Sequence, residues 1–127
     1  MKDNSRLPES ELDIMLVVWD LGEGATAPAI LERLERPLTP SALHSYLKRL
    51  EEKGYLACRK EGKTNRYTPL VGREAYRRQE GHTILDKLYD GSLKRFAAAL
   101  YDGGGLDRRE VEELRAYLEG LEEKEGM

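Results

Sequence analysis

The stretch from Thr39 to Pro69, TPSALHSYLKRLEEKGYLACRKEGKTNRYTP, leaves this chain few ways to fold. Thr39 suits a helix N-cap, because its hydroxyl can accept a bond from a first-turn amide, and Pro40 fits the first helical position, where no N–H is needed. Leu43, Leu47 and Leu50 recur at helical spacing and make one apolar stripe. Gly54 stops the helix, since a residue without Cβ adopts the left-handed conformation that a helix end favours. Tyr55, Leu56 and Ala57 begin an extended run. Glu61-Gly62-Lys63-Thr64-Asn65 reads as a turn, and Arg66-Tyr67-Thr68 returns before Pro69 breaks the strand. A capped helix, a glycine stop and a basic hairpin, in that order, predict the reading helix and wing of a winged helix-turn-helix. Such a helix enters a major groove and such a hairpin tip lies on the backbone.

The residues before this stretch complete a trihelical head. Residues 1–7 are polar and read as frayed, with the head itself over 7–71 and a tail over 1–6. Pro8-Glu9-Ser10-Glu11 opens a first helix with acidic side chains near its positive end. Leu12, Met15, Leu16 and Trp19 follow i, i+3, i+4, i+7 spacing, widened by Ile14 and Val18, and predict its buried face. Leu21-Gly22-Glu23-Gly24 is a loop. Thr26 caps a second helix with Pro28 in its first turn and Ile30, Leu31 and Leu34 turned inward.

On the third helix, the face opposite the leucines carries Ser41, Ala42, His44, Ser45 and Lys48, next to the cap Thr39. Serine and histidine can touch base edges, and Lys48 or Arg49 can reach a phosphate. The same face also reads as plain polar surface. On the hairpin, Arg59, Lys60, Lys63, Thr64 and Arg66 cluster around the turn, a pattern that favours phosphate contact over a merely solvated charge run. Tyr67 reads as packing against the third helix, and Cys58 as a half-buried packing residue.

From residue 72 the pattern changes to amphipathic helices, extending to 122, with a tail over 123–127. Arg73 to Tyr89 is a long helix with Tyr76, Ile84, Leu85, Leu88 and Tyr89 on one side. Asp90-Gly91-Ser92 interrupts it, and a second run from Leu93 to Tyr101 holds Leu93, Phe96 and Leu100. Gly103-Gly104-Gly105 breaks the chain again, without the strand before or lysine after that a phosphate-cradling loop needs. Asp107-Arg108-Arg109-Glu110 resembles a capping box, with Leu106 and Val111 as a staple. Val111, Leu114, Leu118 and Leu121 then mark the last helix. These faces have no second globule to bury them, and burial is worth about 25 cal/mol per Å². A homodimer interleaved about a two-fold axis is therefore expected.

The net charge of −3 conceals segregation. Residues 41–78 carry ten basic and four acidic side chains, whereas residues 102–127 carry four basic and nine acidic. A polyanion responds to the local field, so the basic surplus on the reading helix and wing outweighs the acidic total. No apolar run approaches the roughly 18 residues of a membrane span, and the N-terminus lacks an apolar signal core, so a cytoplasmic protein is expected. The single Cys58 excludes an internal disulfide. His44 and His82 lack Cys, Asp or Glu partners at ligand spacing and no nucleophile motif occurs, so neither catalytic residues, a metal nor a cofactor is expected.

Several segments together resemble the penicillinase and methicillin-resistance repressor family (the BlaI/MecI type, which includes copper-operon repressors). They are Glu11-Leu12 with Met15, Val17 and Trp19; Thr39-Pro40; Leu47-Lys48-Arg49-Leu50 with Lys53-Gly54-Tyr55-Leu56; Lys60-Glu61-Gly62-Lys63; Tyr67-Thr68-Pro69; Tyr89-Asp90-Gly91-Ser92-Leu93; and the helix from Leu106 to Leu118. The resemblance implies a dimeric repressor on a palindromic double-stranded operator, with dimerisation through the C-terminal helices. In the antibiotic-resistance branch it also implies a membrane sensor with a metalloprotease domain, and cleavage within the dimerisation region. The family's reading helix usually carries Lys, Thr, Gln and Thr where this chain has Ser41, Ala42, His44 and Ser45. The scissile Asn-Phe pair falls here on Ala99-Leu100, and the cysteine cluster of copper repressors has no counterpart. The competing reading is a winged-helix module that binds protein in place of DNA.

Overall fold

The computed structural model describes residues 6–125. Its elements are α1 (Glu9–Leu21), α2 (Ala27–Arg33), α3 (Pro40–Lys53), β1 (Leu56–Glu61), β2 (Thr64–Pro69), α4 (Arg73–Tyr89), α5 (Leu93–Asp102) and α6 (Arg108–Glu125). The chain divides into two compact units, with the boundary between Glu80 and Gly81 inside α4. The first is a winged helix: three helices and an antiparallel hairpin.

Caps fix where the helices begin. The Thr39 hydroxyl accepts from the Ala42 amide at 3.0 Å, and Pro40 opens α3. Thr26 caps α2 in the same way, from Ala29 at 3.4 Å. Gly54 ends α3 at φ +88°, where a side chain would strain the backbone. Leu43, Leu47 and Leu50 are buried as expected, against Ile14, Met15, Val18, Ile30, Tyr55, Leu56 and Tyr67.

On α1 the buried stripe lies on the Ile14 and Val18 side of the expected face. Ile14, Met15 and Val18 are fully buried, Leu12 and Trp19 are partly buried, and Leu16 is 43% exposed. The fourth member of the stripe is Glu11, buried with its carboxylate 2.8 Å from the Lys53 ammonium. An apolar count passes over a carboxylate; a paired one can occupy a core-facing position because its partner offsets part of the desolvation cost.

Two further expectations change. Leu7 is buried and not frayed: its amide donates to the Tyr76 hydroxyl at 3.1 Å. Tyr76 is therefore head core and not dimerisation surface, with ring centroids 5.7 Å from Trp19 and 5.9 Å from Tyr55. The Trp19 indole N–H donates to the Val71 carbonyl at 2.9 Å. Residues 1–5, part of the expected N-terminal tail, lie outside the described residues. At the other end α6 continues through Glu125, past residue 122 where the sequence expects a tail to begin; residues 126 and 127 are likewise outside.

The second unit holds the end of α4 with α5 and α6. Ser92 caps α5, its hydroxyl accepting from the Arg95 amide at 3.1 Å. Asp107 and Glu110 form a reciprocal capping box at the start of α6: the Glu110 amide donates to Asp107 at 2.9 Å and the Asp107 amide to Glu110 at 3.3 Å. Among the described residues no helix is long and apolar enough to cross a membrane.

Candidate nucleic-acid interface

The candidate reading face of α3 follows from its buried one. With Leu43, Leu47 and Leu50 inside, Ser41, His44, Ser45 and Lys48 are exposed on the far side, and Ala42 is partly exposed at its edge. The Ser45 hydroxyl donates to the Ser41 carbonyl at 3.3 Å, a back-bond that leaves its oxygen lone pairs outward. Thr39 is committed to the cap. The Arg49 guanidinium lies 5.7 Å from the Tyr46 ring centroid, on the flank of the helix. The face offers hydroxyls, an imidazole and an ammonium, but no guanidinium fork for a guanine edge.

The hairpin is tighter than expected. Its register runs from Leu56 opposite Pro69 to Glu61 opposite Thr64, so only Gly62 and Lys63 make the turn. Gly62 sits at φ +65° ahead of Lys63, the glycine-first pattern of a II′ hairpin turn. Thr64 and Asn65, expected in the turn, are the first residues of β2. The loop between α1 and α2 adds a short third strand position: Ala25 and Tyr67 exchange both backbone hydrogen bonds, at 3.0 and 2.8 Å.

The wing's basic residues divide into two sets. Lys60, Lys63 and Thr64 are exposed around the tip, and among the described residues neither lysine enters an ion pair. Arg59 and Arg66, a cross-strand pair, both approach the same Glu61 carboxylate oxygen, at 3.3 and 3.5 Å. Arg66 also donates to the Gly24 carbonyl at 2.9 Å. Spacing alone puts all four cations on the phosphate side; cross-strand register adds that, in a two-residue turn, Glu61 shares a face with both arginines.

Tyr67 is buried as expected, opposite Cys58. Burial pushes its phenol above the ordinary value, and the neighbouring Cys58 adds to the rise. Cys58 itself is exposed, because β1 leaves the core after Leu56.

In the second unit, Ile84, Leu85, Tyr89 and Phe96 are partly buried, with the Tyr89 and Phe96 rings 5.1 Å apart. Leu88, Leu93, Leu100, Val111, Leu114, Leu118 and Leu121 are exposed, as are Tyr101 and Tyr117. Val111, Leu114 and Leu118 floor a shallow cleft of about 330 Å³ along α6, rimmed by Arg115, Glu119 and Glu122. Ala99 and Leu100 lie in the last turns of α5, where their carbonyls accept from Gly103 at 3.1 Å and Gly105 at 2.7 Å. No group of His, Cys, Asp or Glu among the described residues could hold a metal ion.

The chain matches the family model described as Penicillinase repressor over residues 7–120. The penicillinase repressor of Bacillus licheniformis is 31% identical over 121 residues, 94% of this chain and 94% of the relative. The methicillin resistance regulatory protein MecI of Mammaliicoccus sciuri is 25% identical over 114 residues, 88% of this chain and 92% of its own. Among solved structures, the DNA-binding domain of the repressor BlaI superposes with a TM-score of 0.53 at 28% identity, covering 60% of this chain and 94% of that one. The Bacillus licheniformis BlaI monomeric form in complex with the blaP half-operator gives 0.50 at the same identity and coverage.

Proposed function

We propose that this chain, which belongs to the penicillinase repressor family of transcriptional repressors and not to a family of enzymes, binds a palindromic operator as a homodimer and is released by an inducing signal. The observation that carries this reading is the pairing, on one head, of an exposed polar face on α3 with a lysine-tipped wing. Ser41, His44, Ser45 and Lys48 face the groove; Lys60 and Lys63 meet phosphates, with Thr64 beside them. The likeness to the BlaI domain solved with a half-operator supports this placement. The repressor acts in the cytoplasm.

The exposed apolar residues of α5 and α6 support the dimer. Leu100, Val111, Leu114, Leu118 and Leu121 would be buried by a second copy, at about 25 cal/mol per Å². Two heads linked in this way bind with high effective concentration, so losing the link loses operator affinity by roughly 10²- to 10⁴-fold. Induction works through that link. The family's membrane sensor-protease is the upstream partner we infer, with Ala99-Leu100 the corresponding position. Cleavage there requires the last turn of α5 to open, because both carbonyls are bonded in it.

The test is charge reversal at the tip. Lys60→Glu with Lys63→Glu is expected to weaken binding to duplex from the protein's own promoter by more than tenfold. It should also make the dependence of log affinity on log salt shallower by about two. Indifference to both changes would favour the protein-binding module that the acidic total of −3 allows.

A further inference from the structure

We infer that Arg66 is a positioning residue that, with Glu61, holds the wing against the loop between α1 and α2, and that it does not contact phosphate; the inference rests on the DNA-binding reading above. Three observations carry it. The Arg66 side chain is 37% exposed, and its Nη1 donates to the Gly24 carbonyl at 2.9 Å. Its Nε lies 3.5 Å from the Glu61 carboxylate, which also takes Arg59 at 3.3 Å. Gly24 is further tied to the wing, its amide donating to the Thr68 hydroxyl at 3.4 Å, next to the two backbone bonds between Ala25 and Tyr67.

The guanidinium is thus divided between a carbonyl of one loop and a carboxylate at the hairpin tip. A planar fork with fixed donors can hold both at once, whereas a single ammonium serves as a point charge. A phosphate at Arg66 would compete with the Gly24 carbonyl and the Glu61 carboxylate for the orientation of the guanidinium. At Lys63 it would displace only water. Gly24 presents its carbonyl from a backbone at φ +76°, a conformation that favours glycine. The wing's charge therefore divides by task. The lysines supply contact, and Arg66 sets the angle at which they are presented.

The experiment compares Arg66→Ala, Arg66→Lys and Lys63→Ala in full-length protein, checked for folding by circular dichroism, on duplex from its own promoter across a salt series. Lys63→Ala is expected to reduce the salt slope by about 0.9, the signature of one lost phosphate contact. Arg66→Ala is expected to weaken binding roughly tenfold at every salt concentration with the slope unchanged, equivalent to one charge-assisted hydrogen bond. Arg66→Lys keeps the charge and is expected to recover only part of that loss. In the DNA-free protein, the Ala25 and Tyr67 amides should exchange faster in Arg66→Ala than in wild type. A slope reduced as in Lys63→Ala would overturn the inference, as would full rescue by lysine. So would unchanged affinity with a lowered melting point, which is what a merely structural role predicts. If the wild type bound no duplex, the functional reading would fail, while the amide exchange would still decide the anchor: unchanged rates would sink it.

Discussion

Glu11 and Lys53 show how one side chain can shift the reading of a whole helix. Counting apolar positions gives α1 a face through Leu12, Met15, Leu16 and Trp19, widened by Ile14 and Val18, but burial centres on Ile14, Met15 and Val18 and takes in Glu11 in place of Leu16. No local pattern could reveal this, because the partner of Glu11 is 42 residues away. Lys53→Met leaves the Glu11 carboxylate buried without its counter-ion and should cost on the order of 3 kcal/mol in urea unfolding. Tyr67 was legible as a packing residue; its raised phenol was not, since that depends on burial and on Cys58 across the hairpin. The folded state binds the phenolic proton more tightly than the unfolded chain does. The resulting stability is fully present below the unfolded value near 10 and is lost as pH rises through the higher folded value. Tyr67→Phe should therefore lose less stability than wild type above pH ~10, as read from melting curves at a series of alkaline pH values. Parallel curves would contradict the assignment.

The helices were the most legible elements because their ends are written in capping chemistry. Thr26, Thr39, Ser92 and Asp107 each cap where the sequence expects a helix to begin. Thr39→Ala should cost about 1 kcal/mol of head stability, measured by thermal unfolding, since it leaves the Ala42 amide without its side-chain partner. The hairpin was legible as a hairpin but not in its length. Thr64 and Asn65 suit a turn as well as a strand, and the two-residue alternative is settled by Gly62 taking the positive φ. Its charge arrangement was half legible: basic composition marks the tip, but only the cross-strand register separates the exposed Lys60 and Lys63 from Arg59 and Arg66 beside Glu61. The Ala25 bridge had no sequence signal beyond the glycines around it.

For the whole molecule, the order of segments carried more than any single motif. Basic charge concentrated on α3 and the wing, followed by amphipathic helices with exposed apolar faces, fits the proposed division into a head that reads and a region that assembles. Leu114→Glu with Leu118→Glu should convert a dimer at micromolar concentration into the 14.5 kDa chain in sedimentation, with the head still folded. Periodicity groups Tyr76 with the C-terminal apolar faces, because it runs through α4 without marking the boundary between Glu80 and Gly81; burial puts Tyr76 in the head core. The most direct single measurement is a nuclease footprint of the purified protein on its own promoter region. Two protected half-sites related by a dyad, with centres one helical turn of about 10 base pairs or a multiple apart, are the predicted result. Uniform coverage without half-sites, or no protection even at low salt, would contradict a dimeric operator-binding repressor.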